Sequence, residues 1–314
     1  MLVYTVRRLA LTIVILLVTM TLLFSMVYLV PGDPASIALG PRATAAMKAT
    51  FRERMGLDDP LLVQLWNFIA NVLRGDLGVD VWSNRSVAQI VMEALPYTLA
   101  LTGLGLGWAV VTGIPLGAWS AVARASWADR LIGALSVSAI AIPSFIVAIY
   151  SLLIFAVWLK WLPAIGAGDP GDVHDQLVHL LLPAFAVGLG WVGYIARLVR
   201  ASMLEVMGEN HVRTARAFGL PEQRIIFRYA LPIAILPTIA LLGVGIGNLL
   251  SGAVFAEIVF ARPGVGKLTY DAVITRNYPV VMGSVLITTA VYATCTLAAD
   301  LVAAWLDPRV RASL

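Results

Sequence analysis

The sequence predicts an all-α integral membrane fold of six transmembrane helices. Three observations predict it. Of the 314 residues, 60% are hydrophobic and only 13% are charged, whereas soluble domains run at about 45–50% and 25%. Six charge-poor apolar runs, each of about 20 residues or more, punctuate the chain. Arginines collect in alternate connections between those runs. A water-soluble fold of this length could not hide so much apolar surface, so the surplus takes lipid as its solvent. Because the runs are continuous rather than alternating, they read as helices and not as barrel strands.

The first run spans 9–30 and contains no charge, with Arg7 and Arg8 just before it. A signal peptide's apolar region is shorter, about 7–15 residues, and ends at small residues. This one ends at Pro31-Gly32-Asp33-Pro34, so it reads as a retained first span. Residues 31–95 form a large extracytoplasmic loop of mixed charge, since long loops translocate largely regardless of charge. Inside it, Leu61, Leu62, Leu65, Phe68, Ile69 and Val72 recur at helical spacing, predicting an amphipathic surface helix. The remaining runs lie at 96–123, 131–159, 177–196, 229–256 and 277–299, the fourth broken only by His179. Together, 1–314 reads as one transmembrane domain with a five-span core over 96–306 and a charged connection at about 200–231. Glycines crowd the second run (Gly103, Gly105, Gly107, Gly113, Gly117) and the fifth (Gly243, Gly245, Gly247, Gly252). Small residues let helix backbones approach closely in lipid; the other reading is a flexible wall.

Orientation follows from the short-loop arginines. Arg124 and Arg130 lie between the second and third runs, six arginines from Arg197 to Arg228 between the fourth and fifth, and Arg309 and Arg311 after the sixth. The opposite loop at 160–176 carries Lys160 against Asp169, Asp172 and Asp175. The positive-inside rule puts both termini in the cytoplasm. The net charge of +4 is loop charge of this kind, not a nucleic-acid footprint.

The connection at 205–221 is rich in Arg, Ala and Glu and predicts a short helix. Gly219 fits a left-handed helix end, and Pro221 with Glu222 fits the start of another helix. Helix–Gly–Leu–Pro–helix makes a rigid charged knob. The plainer reading is a solvated loop held near anionic lipid.

The run Val212-Arg213-Thr214-Ala215-Arg216-Ala217-Phe218-Gly219-Leu220, followed by Phe227-Arg228-Tyr229-Ala230-Leu231-Pro232, resembles the cytoplasmic "EAA" loop of binding-protein-dependent ABC permeases. Arg213, Thr214 and Ala215 stand at the Glu-Ala-Ala positions; Phe218 stands where the peptide branch often has Lys. Further segments resemble the same branch: 30–34, Arg74-Gly75-Asp76-Leu77-Gly78, Leu95-Pro96-Tyr97-Thr98-Leu99, Ala141-Ile142-Pro143-Ser144-Phe145, 257–266 and Asp307-Pro308-Arg309. Their order covers nearly the whole chain and is similar to the first permease of dipeptide, oligopeptide and nickel importers.

The resemblance implies a type I ABC importer permease, a non-catalytic multi-pass subunit of the bacterial inner membrane. It implies as partners a second homologous permease, two ATP-binding subunits, an extracytoplasmic solute-binding protein and the lipid bilayer. ATP and Mg would be bound by the partner ATPases, with no cofactor in this chain. The solute class it implies is peptides, with nickel, or another small solute such as an opine or glycoside-like compound, as the alternative. Residue by residue, it makes Arg213, Thr214, Ala215, Arg216, Gly219, Leu231 and Pro232 an ATPase-coupling loop. It makes Glu257, Phe260, Pro263 and Gly264 a candidate outer gate, although Glu257 at a membrane edge can also cap or snorkel.

Other features carry less. Cys295 lies alone in an apolar run and reads as a small helix residue. His174 and His179 lack a Cys or carboxylate cage and are a weak metal signal; His211 reads as a surface contact. Asp300 has no assigned role. Gly264-Val265-Gly266-Lys267 lacks the first Gly and the Ser/Thr of a phosphate loop, and no hydrolase motif is present. A stand-alone secondary transporter predicts mid-membrane ionisable pairs and an inverted repeat; the runs show neither.

Overall fold

The computed structural model of the chain describes residues 2–29, 35–36, 44–56 and 58–306. The Val30–Pro34 and Asp307–Arg309 segments of the resemblance, with Arg311, lie outside the described residues. Among the described residues there is no strand, only an isolated bridge between Val79 and Ser86.

Helix α1 (Leu2–Leu29) packs through Met20 and Leu23 on Leu286 near the other end of the chain, and leaves Leu9, Ile13, Val14 and Leu22 exposed. That bare apolar face suits lipid. Helix α2 (Ala45–Met55) is capped by the Thr44 hydroxyl and stops at Gly56 in the left-handed conformation. Helix α3 (Leu61–Leu73) is the predicted amphipathic helix; Phe68, Ile69 and Val72 rest on α1, while Leu62, Trp66 and Leu73 are exposed.

The second run sits in a longer helix than expected. Helix α4 (Val87–Val122) has 36 residues and begins nine residues before Pro96. Freedom from charge marks the lipid-compatible stretch, whereas the helix continues through Glu93 into solvent. At about 1.5 Å per residue it is some 54 Å long, well beyond a hydrocarbon core of about 30 Å.

The third run is a bent pair of helices. Helix α5 (Trp127–Ala141) and helix α6 (Ser144–Ser151, continued by a π turn over Leu152–Trp158) meet at an angle of 100°. Pro143 explains the break: it offers no N–H, and it drives Ile142 into extended backbone with φ −85° and ψ 120°. Among the described residues, five helices are long and apolar enough to cross a membrane, or six if the bent pair is one broken span.

Helix α7 (Val173–Val206) is the most enclosed candidate span and extends past the expected 177–196 at both ends. It lies against α4 at very close range. A methyl group on Gly117 would overlap the Ala196 carbonyl oxygen, and one on Gly193 would overlap the Ser136 carbonyl oxygen of α5. The packing reading thus holds for Gly105, Gly113 and Gly117, while Gly103 and Gly107 face open space. The Trp108 indole adds a hydrogen bond to the Ala184 carbonyl at 2.9 Å.

Helix α8 (Asn210–Ala217) follows, then a helical stretch in three pieces (Glu222–Arg224, a π segment Ile225–Ala230, and Leu231–Ala234). Helix α9 (Leu236–Val259), helix α10 (Val265–Ile274) and helix α11 (Tyr278–Leu306) complete the bundle. The fifth run is likewise not a single rod, since it is interrupted near Ile235.

Candidate functional site

At the Arg-rich end, α8 is keyed into the bundle by one face. Val212 and Ala215 are buried with Met203 and Val206 of α7 and with Ile225 and Ala230. Val212 lies outside the candidate spans, so its burial is worth about 1.5–3 kcal/mol against water. The opposite face is bare: Arg213, Thr214, Arg216 and Gly219 are exposed, and Phe218 is 82% exposed. The expected coupling set is therefore divided by the fold. Ala215 is a packing residue, Leu231 is half-buried against the same core, and Pro232 is exposed at the start of the next helical turn.

The turn after α8 is closed by backbone. Gly219 has φ +76°, its N–H reaches the Arg216 carbonyl at 2.9 Å, and the Leu220 N–H reaches the Ala215 carbonyl at 3.3 Å. The Arg216 guanidinium spans the turn to Glu222 at 2.7 Å. His211 lies 3.1 Å from Glu209.

A second tie at this end was not singled out from the sequence. Asp129, in the first turn of α5, is buried. Its oxygens accept from the Ser120 hydroxyl at 2.6 Å, the Ala125 N–H at 3.0 Å, and Nε and Nη2 of Arg200 at 2.6 and 2.9 Å. One carboxylate thus locks the α4–α5 turn to α7, the helix that leads into α8. Arg200 counts as loop charge in a reading by composition, yet it lies within α7. A lone carboxylate at the edge of an apolar run was the available signal.

At the opposite end, Glu257 and Gly264 are brought together. Glu257 is wholly buried and accepts from the Thr98 hydroxyl of α4 at 2.6 Å and from the Lys267 N–H at 3.0 Å. The Thr98 oxygen accepts in turn from the Val265 N–H at 2.8 Å. A methyl group on Gly264 would overlap the Glu257 carboxylate, and one on Gly266 would lie 2.7 Å from Val254 Cα. Arg262 is also buried; its Nη1 donates to the His179 carbonyl at 3.2 Å. Phe260 turns away into a separate cluster with Val147, Ala148, Leu182 and Ala186. Pro263 is exposed and borders a depression of about 450 Å³ with Tyr97 and Lys267. Nearby, Asp80 fastens the 78–87 turn to the α10–α11 junction by accepting from Asn277, Ser83 and the Trp82 N–H. Burial pushes its carboxyl up, but these hydrogen bonds outweigh that and hold it below its ordinary value.

Between the two ends, α9, α10 and α11 enclose a groove of about 590 Å³, lined by Thr98, Ser251, Thr269, Thr288 and Tyr292 among others and, among the described residues, by no charged side chain. Its size is that of a small-molecule site. Asp300 pairs with Arg8 at 2.8 Å, joining α11 to α1. His179 turns its Nδ1 to Asp175 of its own helix, and among the described residues no group of three or more His, Cys, Asp or Glu side chains could hold a metal ion.

Comparison with known proteins fits this geometry. The family described as "Binding-protein-dependent transport system inner membrane component" matches residues 113–312, and its N-terminal counterpart matches residues 1–102. The glutathione transport system permease protein GsiC of Pectobacterium atrosepticum is 38% identical over 311 residues, 99% of each chain. The protein of the same name from Salmonella typhimurium is 37% identical with the same coverage. The fold also resembles an inward-facing conformation of the MetNI methionine ABC transporter. That likeness has a TM-score of 0.59 at 19% identity and covers 70% of this chain and 97% of that one. Proteins of this kind are multi-pass membrane subunits of ABC importers, which work with a binding protein and leave ATP hydrolysis to separate ATPase subunits. The core of close-packed apolar helices agrees with a membrane subunit of this kind, and the chain belongs to the family of binding-protein-dependent transport system inner membrane components, the permeases of ABC importers.

Proposed function

We propose that this chain is the first permease of a peptide importer of the dipeptide and oligopeptide branch. It pairs with a second homologous permease, two ATPases and an extracytoplasmic solute-binding protein, and both of its termini are cytoplasmic. The observation that carries the reading is the two-faced helix α8. Val212 and Ala215 fix it to the bundle core, while Arg213, Thr214 and Phe218 are offered to a partner and Arg216 is held across the turn by Glu222. A helix held in this way moves with α7 as a rigid body. When ATP draws the ATPases together, the knob follows, and the helices rock between inward-open and outward-open states. The loop held by Glu257 and bordered by Pro263 is the proposed outer gate. Support for a peptide solute comes from the relatives named for glutathione, itself a tripeptide.

The test is a mild-detergent pull-down through a tag on this chain, followed by reconstitution and uptake in proteoliposomes. Recovery of a second permease and two ATPases with ATP-driven peptide uptake is the expected result. Gly219→Val forces a β-branched residue into φ +76°, costing about 1–2 kcal/mol, and should release the ATPases while sparing the second permease. Recovery of this chain alone, with flux driven by an ion gradient, would sink the reading.

A further inference from the structure

Helix α9 has two unlike faces. Leu249, Ala253 and Ala256 are buried against α4 and α7. The other face exposes Asn248, Ser251 and Phe255. Ser251 is satisfied within its own helix, donating to the Gly247 carbonyl at 3.2 Å. Among the described residues, the Asn248 carboxamide has no hydrogen-bond partner. An unpaired amide facing hydrocarbon is expensive; on α1, where Leu9, Ile13, Val14 and Leu22 are exposed, the exposed Thr21 hydroxyl is satisfied within its own helix by donating to the Leu17 carbonyl at 2.9 Å. The Asn248 face is therefore built to meet something polar.

Its surroundings narrow what that is. Asn248 stands on a crest between two hollows. One is the groove of about 590 Å³ toward α10 and α11. The other is a hollow of about 420 Å³ toward the Pro143 bend and α7, with Ser144, Trp191 and Tyr194 in its wall. Neither contains a charged side chain. In the first groove, Thr269, Thr288 and Thr289 each donate to the carbonyl four residues back, which leaves oxygen lone pairs toward the space. An uncharged lining gives no site that would hold a solute's ammonium or carboxylate too tightly to release, a condition that any pathway must meet. A carboxamide offers two donors and an acceptor, the complement of a peptide bond.

We propose that Asn248 is the contact that hydrogen-bonds the amide groups of a peptide as it passes along α9. The proposal rests on the peptide-import reading and adds the place and chemistry of contact. The experiment uses the whole importer, purified through this chain and reconstituted, with glutathione and the dipeptide Ala-Ala as probes. Asn248→Leu keeps the shape and removes the hydrogen bonds; it should lower uptake about three- to tenfold, with the second permease and ATPases still co-purifying. Asn248→Gln, which restores the amide, should recover most of the loss. Unchanged uptake in Asn248→Leu would overturn the inference alone. Loss of the second permease from the pull-down would also overturn it, because the amide would then serve a helix–helix bond between permeases. If the unmodified importer takes up neither probe, the peptide reading fails first and takes this contact with it.

Discussion

Asp129 and Glu257 are both buried carboxylates, and both reach α4, one at Ser120 and the other at Thr98. Twenty-two residues of helix separate those hydroxyls (98 to 120), or about 33 Å. Beyond that likeness they differ in chemistry. Asp129 is met by the forked guanidinium of Arg200, and it joins a helix turn to the long helix that leads into α8. Glu257 is met by neutral donors, a hydroxyl and backbone N–H groups, and closes a loop that turns on Gly264 and Gly266. A bidentate ion pair fixes the mutual angle of two rigid elements. A carboxylate wrapped by backbone fixes the path of a loop. The two ends therefore should fail differently: the Glu257 end by losing its shape, and the Asp129 end by losing transmission.

The largest effect is expected at the loop. In Gly264→Ala the new methyl and the Glu257 carboxylate compete for one buried space. Overpacking of this kind costs about 1–3 kcal/mol, and here it also displaces the hydrogen bonds to Thr98 and Lys267. Thermal stability of the detergent-solubilised importer should drop and uptake should fall about tenfold or more. Glu257→Ala in the same chain should restore part of the stability by vacating the space. If the double variant is no better than Gly264→Ala, the clash is not the cause and the contrast between the ends is lost.

A smaller effect with a different signature is expected at Asp129. Asp129→Asn keeps the shape and removes the charge that the Arg200 fork grips. ATP hydrolysis by the assembled importer should continue while peptide moved per ATP falls by between about two- and thirtyfold, the range for residues that carry coupling. Arg200→Lys keeps the charge but loses the fork, and should fall in between. Parallel loss of hydrolysis and uptake would show that the tie only supports the fold.

These ties mark what the sequence leaves illegible. Composition and run length make the membrane class readable, and the helical spacing of Leu61, Leu62, Leu65, Phe68, Ile69 and Val72 makes α3 readable, because these are local properties of the chain. The division of α8 into a packed and a bare face is not readable in the same way: Ala215, grouped with the coupling residues by resemblance, is buried, whereas the apolar Phe218 is bare. Freedom from charge, however, says nothing of direction, so the 100° bend at Pro143 is hidden inside an unbroken apolar run. Asp129 and Arg200 are 71 residues apart, and only the close approach of α5 and α7 at Gly193 pairs them. Glu257 at the end of an apolar run can be recognised as unusual, yet its partners Thr98 and Lys267 come from two other helices. Asn248 is a polar residue within the fifth run, and its meaning depends on which face of α9 the bundle leaves open.

The smallest effect is expected at the turn after α8. Arg216 and Glu222 approach to 2.7 Å across Gly219, but both are exposed, and exposed ion pairs contribute little and are screened by salt. The turn's shape is already set by the left-handed Gly219 and by its two backbone hydrogen bonds. Arg216→Ala should therefore change ATPase recovery in the pull-down by no more than about twofold, and the difference should shrink further at about 0.5 M salt, because salt weakens an exposed ion pair. Gly219→Val should remain defective at any salt, since backbone strain is not screened. Should Arg216→Ala release the ATPases as fully as Gly219→Val does, the guanidinium itself would be a docking contact. The bare face of α8 would then act by charge, and the geometry of its turn would be secondary.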